Sequence, residues 1–474
     1  MSSNDGANRK ERPMQRNAIV RVAVVILVVL LLPILHDKVK EWSNQAGRVN
    51  ALQQEYDRIR AEGLPLTFDE LDAWYERPAA NAADLYVQAF DAHVDPPPEL
   101  EAGLPLESGG GLPPRGQPLP EAARQAIQAY VQSNSRSIAL LHEAATRAHC
   151  RYPIDLRKGV AAELPNLAWI RRASRLLAQH AVLLADTGDV AGAAEALAGV
   201  FALANSLQNE PVLISQLVRV ACSQIGIDAL KWVVNRAPFN SAQLAKLSDA
   251  LDPCCNERGF WRGLVGERCM SVATWDARMG PGFDATIGAL SPEFRSKVDV
   301  DGLRKHVQGA LFEDDLVYML HILDLAIQGA KLPPEEGHSK LQEAMKLVQE
   351  APSDYLITNY NGGSGQSNVF AGIRATEARD RMVAGSRTAA AALAVKRYQL
   401  QNGALPDLLG QVVPRYMPAV PLDPYDGQPL RYRKEPVKYV VYSISKNGRD
   451  DGGVEGADMK QEWTSGDITF AVSL

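Results

Sequence analysis

Apolar residues recur at helical spacing over most of this chain, and the pattern changes to strict alternation only near the C-terminus. Between residues 121 and 368, apolar positions three and four apart predict one helix after another. A last long helix begins at about residue 369 and stops at Asn402 and Gly403. Three later stretches, PLRYR, VKYVVYSI and DITFAVS, alternate and are rich in β-branched and aromatic residues. They predict a small antiparallel sheet at the end of a mainly α-helical fold.

The clearest unit in the middle of the chain is a helical hairpin. Leu176, His180 and Leu183 line one face of its first helix, and the DTGD stretch that follows predicts a turn. Alanines early in the next helix, such as Ala193, would let the two helices pack closely. The unit resembles a tetratricopeptide-like (TPR-like) hairpin, but no second copy follows at a period of about 34 residues. The sequence therefore predicts an irregular α-helical domain.

The longest apolar run, AIVRVAVVILVVLLLPIL, extends from Ala18 to Leu35 and has Arg21 as its only charge. A helix of this length, at about 1.5 Å per residue, nearly spans the hydrocarbon core of a bilayer. Basic residues precede the run, so the positive-inside rule predicts a cytoplasmic tail at residues 1–17 and an extracytoplasmic remainder. A cleaved signal peptide and a buried helix are the alternatives. No small-residue cleavage site follows, which favours an uncleaved single-pass anchor in the inner (cytoplasmic) membrane.

Proline and glycine then set the predicted domain boundaries. The segment from Asp95 to Pro120 contains eight prolines and five glycines, which predicts a linker or long exposed loop with neither helix nor strand. After the anchor, the chain divides into membrane-proximal helices at 36–94, a Pro/Gly-rich linker at 95–120, an α-helical domain at 121–368 and a C-terminal module at 369–474.

Composition narrows the functional classes. The 474 residues include 50 Lys and Arg against 56 Asp and Glu, for a net charge of −6. No basic excess indicates a nucleic-acid partner, and we expect none. The length predicts two or three domains, and a hydrophobic content of 46% is typical of a folded protein.

The five cysteines match neither a zinc-binding nor a CxxC redox spacing. Cys254 and Cys255 are adjacent, and Cys269 follows them. If this region lies outside the cytoplasm, one interpretation is a disulfide from one of the pair to Cys269. Buried free thiols are the other interpretation.

Motifs of known catalytic sites are missing: the sequence contains no HExxH, GxSxG or Walker stretch. His142 and His149 stand seven positions apart on a predicted helix, about 10 Å, which is too far to share a metal easily. They predict surface histidines instead. The Gly-rich stretch at 359–368 lacks the lysine of a P-loop and predicts a flexible connector rather than a nucleotide site.

Two charged clusters have simple interpretations. The acidic run Glu313–Asp315 places its carboxylates around a predicted helix, which indicates a solvated face. The arginines of the segment Arg171–Arg175 lie near Trp169, where they predict either an exposed helix face or an anion site. Neither cluster by itself indicates catalysis.

Residues 389–453, together with the later GDITF, resemble the C-terminal region of type II secretion major pseudopilins, the G-type family. The matching stretches are AAAALAVKRYQLQNGALPDLL, VPRYMPAVPLDPYDGQPLRYR and YVVYSISKNGRDDGG. In that family a helix leads through a proline-rich loop to a DPWGNPY-like turn, and a strand ending in YSxGxDG opens a calcium-binding loop. The hydrophobic run here lacks the family's fifth-position Glu and lies more than three hundred residues upstream, so filament assembly is not expected. The whole layout is similar to uncharacterised bacterial membrane-anchored proteins that carry this module.

The resemblance implies a calcium site in the acidic loop. Asp450, Asp451, Asp458 and Asp467 would supply carboxylates, with Asn447 as a weaker ligand. Calcium takes six to eight oxygen ligands, and extracytoplasmic calcium at roughly millimolar concentration would occupy a weak site. An ordinary acidic hairpin loop is the alternative, because two basic residues partly neutralise the segment.

Together these features predict a membrane-anchored, extracytoplasmic interaction or scaffold protein that is not an enzyme. It would be tethered through residues 18–35 and would contact other envelope proteins. The alternative is a cell-envelope hydrolase with an unrecognised site in the helical domain. A deep cleft with convergent His, Asp, Glu or Arg side chains would favour the hydrolase.

Overall fold

A computed structural model describes five stretches of the chain: residues 47–107, 111–276, 312–351, 368–454 and 466–474. Four predictions fall on residues outside these stretches. They are the cytoplasmic tail at 1–17, the membrane anchor at 18–35, the Gly-rich connector before residue 368, and the ligand Asp458.

Helices make up most of the described chain, as predicted. The first six are α1 (47–61), α2 (Phe68–Trp74), α3 (Ala83–Asp91), α4 (Pro98–Glu101), α5 (Glu121–Ser133) and α6 (Ser135–Ala145). A 3₁₀ turn at Leu156–Ala161 follows. The longer helices are α7 (Asn166–Thr187), α8 (Val190–Asn205), α9 (Leu213–Val233), α10 (Ser241–Cys255), α11 (Phe260–Asp276), α12 (Phe312–Lys331), α13 (Pro334–Glu350) and α14 (Asn368–Asn402).

Local sequence explains where several helices begin and end. Thr67 and Glu70 form a capping box at the start of α2, in which each side chain accepts a hydrogen bond from the other's backbone N–H. Gly188 takes a φ of +90° and ends α7, and Asp189 caps α8 by accepting from the N–H of Gly192. The DTGD turn therefore folds as predicted, and α7 packs against α8.

The Pro/Gly-rich segment is packed onto the helices. It contains the short helix α4, so the prediction of a segment without a helix is wrong at Pro98–Glu101. Proline fits the first turn of a helix, where no intrahelical N–H bond is lost, and Pro98 occupies that position. Leu104 and Leu119 of the same segment are buried. Their burial anchors the segment on both sides of its glycine-rich centre.

The arginine cluster of α7 also holds this segment. Arg172 pairs with Asp95 at 3.2 Å, and Arg175 pairs with Glu107 at 3.3 Å. The Arg172 guanidinium lies 4.7 Å from the centre of the Trp169 ring, in a cation–π contact. Two of these arginines are therefore occupied by carboxylates of the chain itself. Exposed pairs of this kind contribute little energy, but they fix the position of the segment on α7.

The acidic run at the start of α12 is mostly buried, so the predicted solvated face is wrong. Glu313 is 5% exposed and Asp315 is fully buried, and both have interaction partners within the fold. Asp314 pairs with Arg48 of α1 at 2.9 Å. The reason is tertiary packing: α12 lies against α11 and α13, which covers the face that the sequence alone leaves open.

Helix α9 is the one helix in the described part of the chain that is long and apolar enough to cross a membrane by composition. In the fold, 61% of its apolar window is buried. It packs against α7, α8, α11 and α14, as a core helix does. Burial of α9 in the helical core therefore explains why its sequence is so apolar.

A buried ion pair joins three helices at the centre of this core. Arg219 of α9 and Glu257 have side-chain exposures of 1% and 0%, and their charged atoms lie 2.6 Å apart. The same Glu257 oxygen accepts the backbone N–H groups of Gly259 and Phe260, where α11 begins. Arg219 also donates to the carbonyl of Pro253 in α10. The pair therefore sets the geometry between α9, α10 and α11.

All five cysteines are free thiols. The interpretation that joined Cys254 or Cys255 to Cys269 by a disulfide is therefore wrong, and the free-thiol interpretation is confirmed. Burial raises the pKa of the Cys222 thiol to about 11 and that of Cys269 to about 12. These side chains act as small apolar residues within the helical core.

The C-terminal sheet has the predicted antiparallel form, with strand order β1–β2–β3. Its strands are β1 (Arg431–Lys434), β2 (Lys438–Ser443) and β3 (Ile468–Ser473), preceded by a 3₁₀ turn at Leu409–Val412. Tyr432 stands opposite Val441, which stands opposite Phe470 in the next strand. The Tyr439 hydroxyl donates to the carbonyl of Ala392 at 2.8 Å, which connects β2 to α14.

Helix α14 joins the sheet to the helical body. It packs against β2 and β3 and also against α9 and α10, and one continuous apolar core includes residues of both regions. Asn235, just after α9, donates to the carbonyl of Ala471 and accepts the N–H of Ser473. These bonds satisfy backbone groups of the edge strand β3, which would otherwise be open to pairing with another chain.

Candidate functional site in the acidic loop

Asp423 is the centre of the turn that precedes the sheet. Its carboxylate is fully buried and accepts hydrogen bonds from the Ser443 hydroxyl at 2.8 Å and the Arg431 guanidinium at 3.0 Å. It also accepts the backbone N–H groups of Tyr425 at 3.0 Å and Ile444 at 2.9 Å. Burial raises the pKa of Asp423, and the hydrogen bonds oppose that rise. Asp423 therefore locks the turn onto the end of β2.

Arg431 connects this turn to the acidic loop. Besides Asp423, it contacts Asp426 at 2.6 Å and Asp450 at 3.2 Å. Burial has the largest effect on the pKa of Asp426 and raises it, but the hydrogen bond and charge of Arg431 together with backbone hydrogen bonds outweigh burial, so the pKa falls below its usual value. One arginine thus balances the charge of three carboxylates, two in the turn and one in the loop.

We define the acidic loop as residues 446–467, of which 446–454 and 466–467 are described. Its first part is a tight backbone turn, with Gly452 and Gly453 at φ values of +78° and +65°. The Asp450 carboxylate accepts the N–H of Gly452 at 2.9 Å, and the Asn447 amide donates to Asp451 at 3.1 Å. The glycines therefore turn the chain, and hydrogen bonds within the loop partly hold the carboxylates of Asp450 and Asp451.

Asp467, immediately before β3, is fully buried and is the most buried of the acidic residues described in the loop. Its Oδ2 accepts the N–H of Gly453 at 2.7 Å, whereas its Oδ1 is buried without a hydrogen-bond partner in the structure as described. Burial raises the pKa of Asp467, and the nearby charges of Asp451 and Asp450 raise it further, against hydrogen bonds from the backbone. An unpaired buried carboxylate oxygen is unfavourable, which points to a missing partner.

The structure brings three of the four predicted ligands into one loop. Asp450, Asp451 and Asp467 are close enough for the first two charges to affect the pKa of the third, and Asp458 lies outside the described residues. Over the described ranges, no group of three Asp, Glu, His or Cys side chains forms a ready metal site. A cation would therefore have to draw Asp450 away from Arg431, its present partner.

Sequence reasoning missed the roles of Asp423 and Arg431. In the sequence, the stretch from Pro421 to Arg433 stands out only as part of the pseudopilin-like motifs. A signal was present: an Asp directly before Pro in a turn, followed eight positions later by an arginine in a strand. Only the fold shows that the two side chains meet, because Ser443 and Ile444 complete the set from the far end of β2.

A separate cleft of about 510 Å³ lies between α13, α14 and the start of the acidic loop. In its lining, the His338 Nε2 and an Asp380 oxygen are 2.9 Å apart, and Arg379 donates to the other Asp380 oxygen. This is the kind of convergence that the hydrolase alternative requires. Among the described side chains, however, no serine or cysteine forms a hydrogen bond with His338.

His142 and His149, which the sequence places on one helix, lie in different local structures. His142 lies in α6, but α6 ends at Ala145, so the prediction that places His149 on the same helix is wrong. His149 instead forms an isolated backbone bridge with Asn81, and the Ala82 N–H donates to its carbonyl. His142 is half-buried, and this burial lowers its pKa.

No protein-family profile, curated protein or solved structure matches this chain. The resemblance of its C-terminal module to pseudopilins therefore stays a prediction that rests on the motifs alone. Any function of the acidic loop has to be argued from the contacts of Asp450, Asp451 and Asp467 themselves.

Proposed function

We propose that this protein is a membrane-anchored extracytoplasmic scaffold that works by contact with other envelope proteins, and that Ca²⁺ stabilises its C-terminal sheet. The observation that carries the calcium part of the proposal is the buried Oδ1 of Asp467, which has no hydrogen-bond partner among the described residues and lies beneath a loop with two further carboxylates. Because the acidic loop joins β2 to β3, an ion bound there would fix the edge of the sheet.

The chemistry of the loop suits a hard cation better than a soft one. Carboxylates and backbone carbonyls are the ligands that calcium takes, and the loop offers no imidazole or thiolate in its described part. A bound ion would give Asp467 Oδ1 a partner and would offset the repulsion among three close carboxylates. Arg431 already offsets part of that charge from one side, so we expect a weak site of the extracellular class.

Added Ca²⁺ should raise the unfolding temperature of the full chain. An ion at about ten times its Kd stabilises the folded state by about 1.4 kcal/mol, which corresponds to a rise of about 1–3 °C for a protein of this size. The measurement is thermal unfolding with about 10 mM Ca²⁺ and with EDTA. In Asp467→Asn the rise should disappear, because a site this weak loses its affinity for Ca²⁺ when one of its carboxylate charges is replaced by a neutral amide oxygen.

The matched control for this experiment is Asp407→Asn. Asp407 belongs to the same module but pairs with Lys434 outside the acidic loop. This variant should keep the full Ca²⁺-dependent rise. An equal rise in Asp467→Asn, or none in the unmodified chain, would remove calcium from the proposal.

The same proposal places the chain in the inner membrane through residues 18–35, with the N-terminus in the cytoplasm. Its support is the apolar run with basic residues before it. In fractionated cells, the full chain should stay in the membrane pellet after a high-salt wash, and deletion of residues 1–35 should release it. Recovery of the intact chain in the soluble fraction would contradict the anchor.

The proposal also covers the structural type of two parts of the fold, the α7–α8 hairpin and the C-terminal module. The hairpin of α7 and α8 would be a TPR-like contact unit, and α14 with the sheet would be a pseudopilin-like module. The support for the first is the tight turn at Gly188 and the close packing of the two helices. The support for the second is the order of helix, turn, strand and acidic loop.

A further inference from the structure

A second cavity, distant in sequence from the acidic loop, lies among the N-terminal helices. It has a volume of about 390 Å³ and is bounded by α2, the 3₁₀ turn after α6, the start of α9, and α11. Its lining is almost wholly apolar and includes Phe68, Leu71, Leu156, Leu213, Leu217 and Met270. This volume falls in the range of small-molecule sites in proteins.

Glu267 of α11 is the one charged residue in the lining of this cavity. Within the described part of the chain, its carboxylate has no ion pair and no hydrogen-bond donor. Burial alone raises the pKa of Glu267 to about 7, and no neighbouring charge contributes to that shift. The adjacent Arg268 is directed elsewhere, since it donates to the backbone carbonyl of Pro65.

Two glycines let the walls of the cavity approach one another. Gly159 has a φ of +58°, and a Cβ on it would lie 2.7 Å from the Phe68 ring. A Cβ on Gly266 would lie 2.1 Å from the carbonyl oxygen of Pro211. Neither position tolerates a side chain without a shift of its neighbour. The shape of the cavity therefore depends on glycine at both positions. One of them, Gly266, directly precedes the charged residue Glu267.

An unpaired carboxylate among apolar side chains is unfavourable unless a partner of opposite charge reaches it. An anion would be repelled, and a neutral apolar molecule would bury the carboxylate further without pairing it. We propose that this cavity binds an apolar ligand that carries one protonated amine, with Glu267 as the counter-ion. This site is independent of calcium and of the scaffold function.

The recognition has two parts, and each predicts a preference. The apolar walls contribute roughly 25 cal/mol for each Å² of apolar ligand surface that they cover. The carboxylate contributes a charge-assisted hydrogen bond to the ammonium group, which is stronger than a neutral one. An amine should therefore bind better than an alcohol of the same shape, and a carboxylate of similar shape should bind worst.

The test uses the full chain in zwitterionic lipid nanodiscs and 2-phenylethylamine as the probe, with binding followed by isothermal titration calorimetry near pH 8. At this pH the probe is protonated and Glu267 is mostly ionised. We expect the unmodified chain to bind the amine at least tenfold more tightly than 2-phenylethanol or 3-phenylpropionate. Equal affinity for the three probes, or no binding at about 10 mM amine, would overturn the proposal.

Variants locate the site. Glu267→Gln should weaken amine binding at least tenfold and leave the fold intact, because it removes the charge of a half-buried side chain without changing the side-chain shape. Glu163→Gln is the matched control, since Glu163 is exposed, lies close in sequence to the cavity wall and is not part of its lining. Ala162→Phe, which fills the cavity from its wall, should also abolish binding. Unchanged binding in Glu267→Gln or Ala162→Phe would place the amine elsewhere and refute the inference.

Discussion

Replacing Asp423 by alanine should lower the free energy of unfolding by about 3–5 kcal/mol, the range found when one partner of a buried charge pair is removed. The substitution leaves the Arg431 guanidinium, the Ser443 hydroxyl and two backbone N–H groups without their common acceptor. A buried donor that loses its acceptor retains the full desolvation penalty. Chemical denaturation of the full chain, followed by far-UV circular dichroism, measures the change.

Asp426→Ala is the matched control for this prediction. Asp426 pairs with the same arginine, but its side chain is 26% exposed, whereas that of Asp423 is fully buried. Water can replace a partly exposed partner, so the control should cost less than about 1 kcal/mol. If the two alanine variants were equally stable, the central role of Asp423 in the turn would be wrong.

The second large effect is expected at the buried pair between Arg219 and Glu257. Arg219→Met should lower the free energy of unfolding by about 3–5 kcal/mol, because it leaves the Glu257 carboxylate charged and buried. Adding Glu257→Gln to that variant should restore part of the stability. Glutamine carries no charge, and its oxygen can still accept the N–H groups of Gly259 and Phe260.

A double-mutant cycle by chemical denaturation measures this coupling. The double variant should be more stable than Arg219→Met alone. Simple addition of the two single effects would show that the pair does not act as a unit. The exposed pair between Lys246 and Glu195 serves as the control, and Lys246→Met should change stability by less than about 1 kcal/mol.

The parts of the fold that sequence predicts well are those set by neighbouring residues. Thr67 with Glu70 marks the start of a helix, Gly188 marks the end of one, and strict alternation marks the three strands. These signals lie within a few positions of the structure that they determine. They therefore give the mainly helical fold and its small C-terminal sheet before any tertiary contact is known.

Contacts between distant residues account for what sequence does not predict. From the sequence Asp315 is expected to be solvated, but in the fold α11 and α13 pack against its helix and it is buried. The sequence likewise gives Asp95 no partner, but in the fold Arg172 pairs with it. In the acidic loop, the order of motifs in the sequence identifies Asp450 and Asp451 as candidate calcium ligands. It gives no sign that Arg431, nineteen positions before Asp450, already holds one of them.

The depth of Asp467 is also a tertiary property. Its position before a strand is visible in the sequence, but its full burial and its unpaired oxygen follow from the way the turn at Gly453 lies over it. Glu267 is a similar case, because only the packing of α2, α9 and α11 surrounds it with apolar walls. Both residues become candidates for binding through their environment, not through a motif.

Direct Ca²⁺ binding to the full chain tests the central claim, that the acidic loop holds a cation through Asp467. Equilibrium dialysis in zwitterionic nanodiscs, which themselves retain little calcium, should detect one Ca²⁺ per chain with a Kd of about 10⁻⁴–10⁻³ M. Asp467→Asn should lose that ion, and Asp407→Asn should keep it. No bound calcium at about 10 mM free Ca²⁺, or equal binding by Asp467→Asn, would contradict the claim.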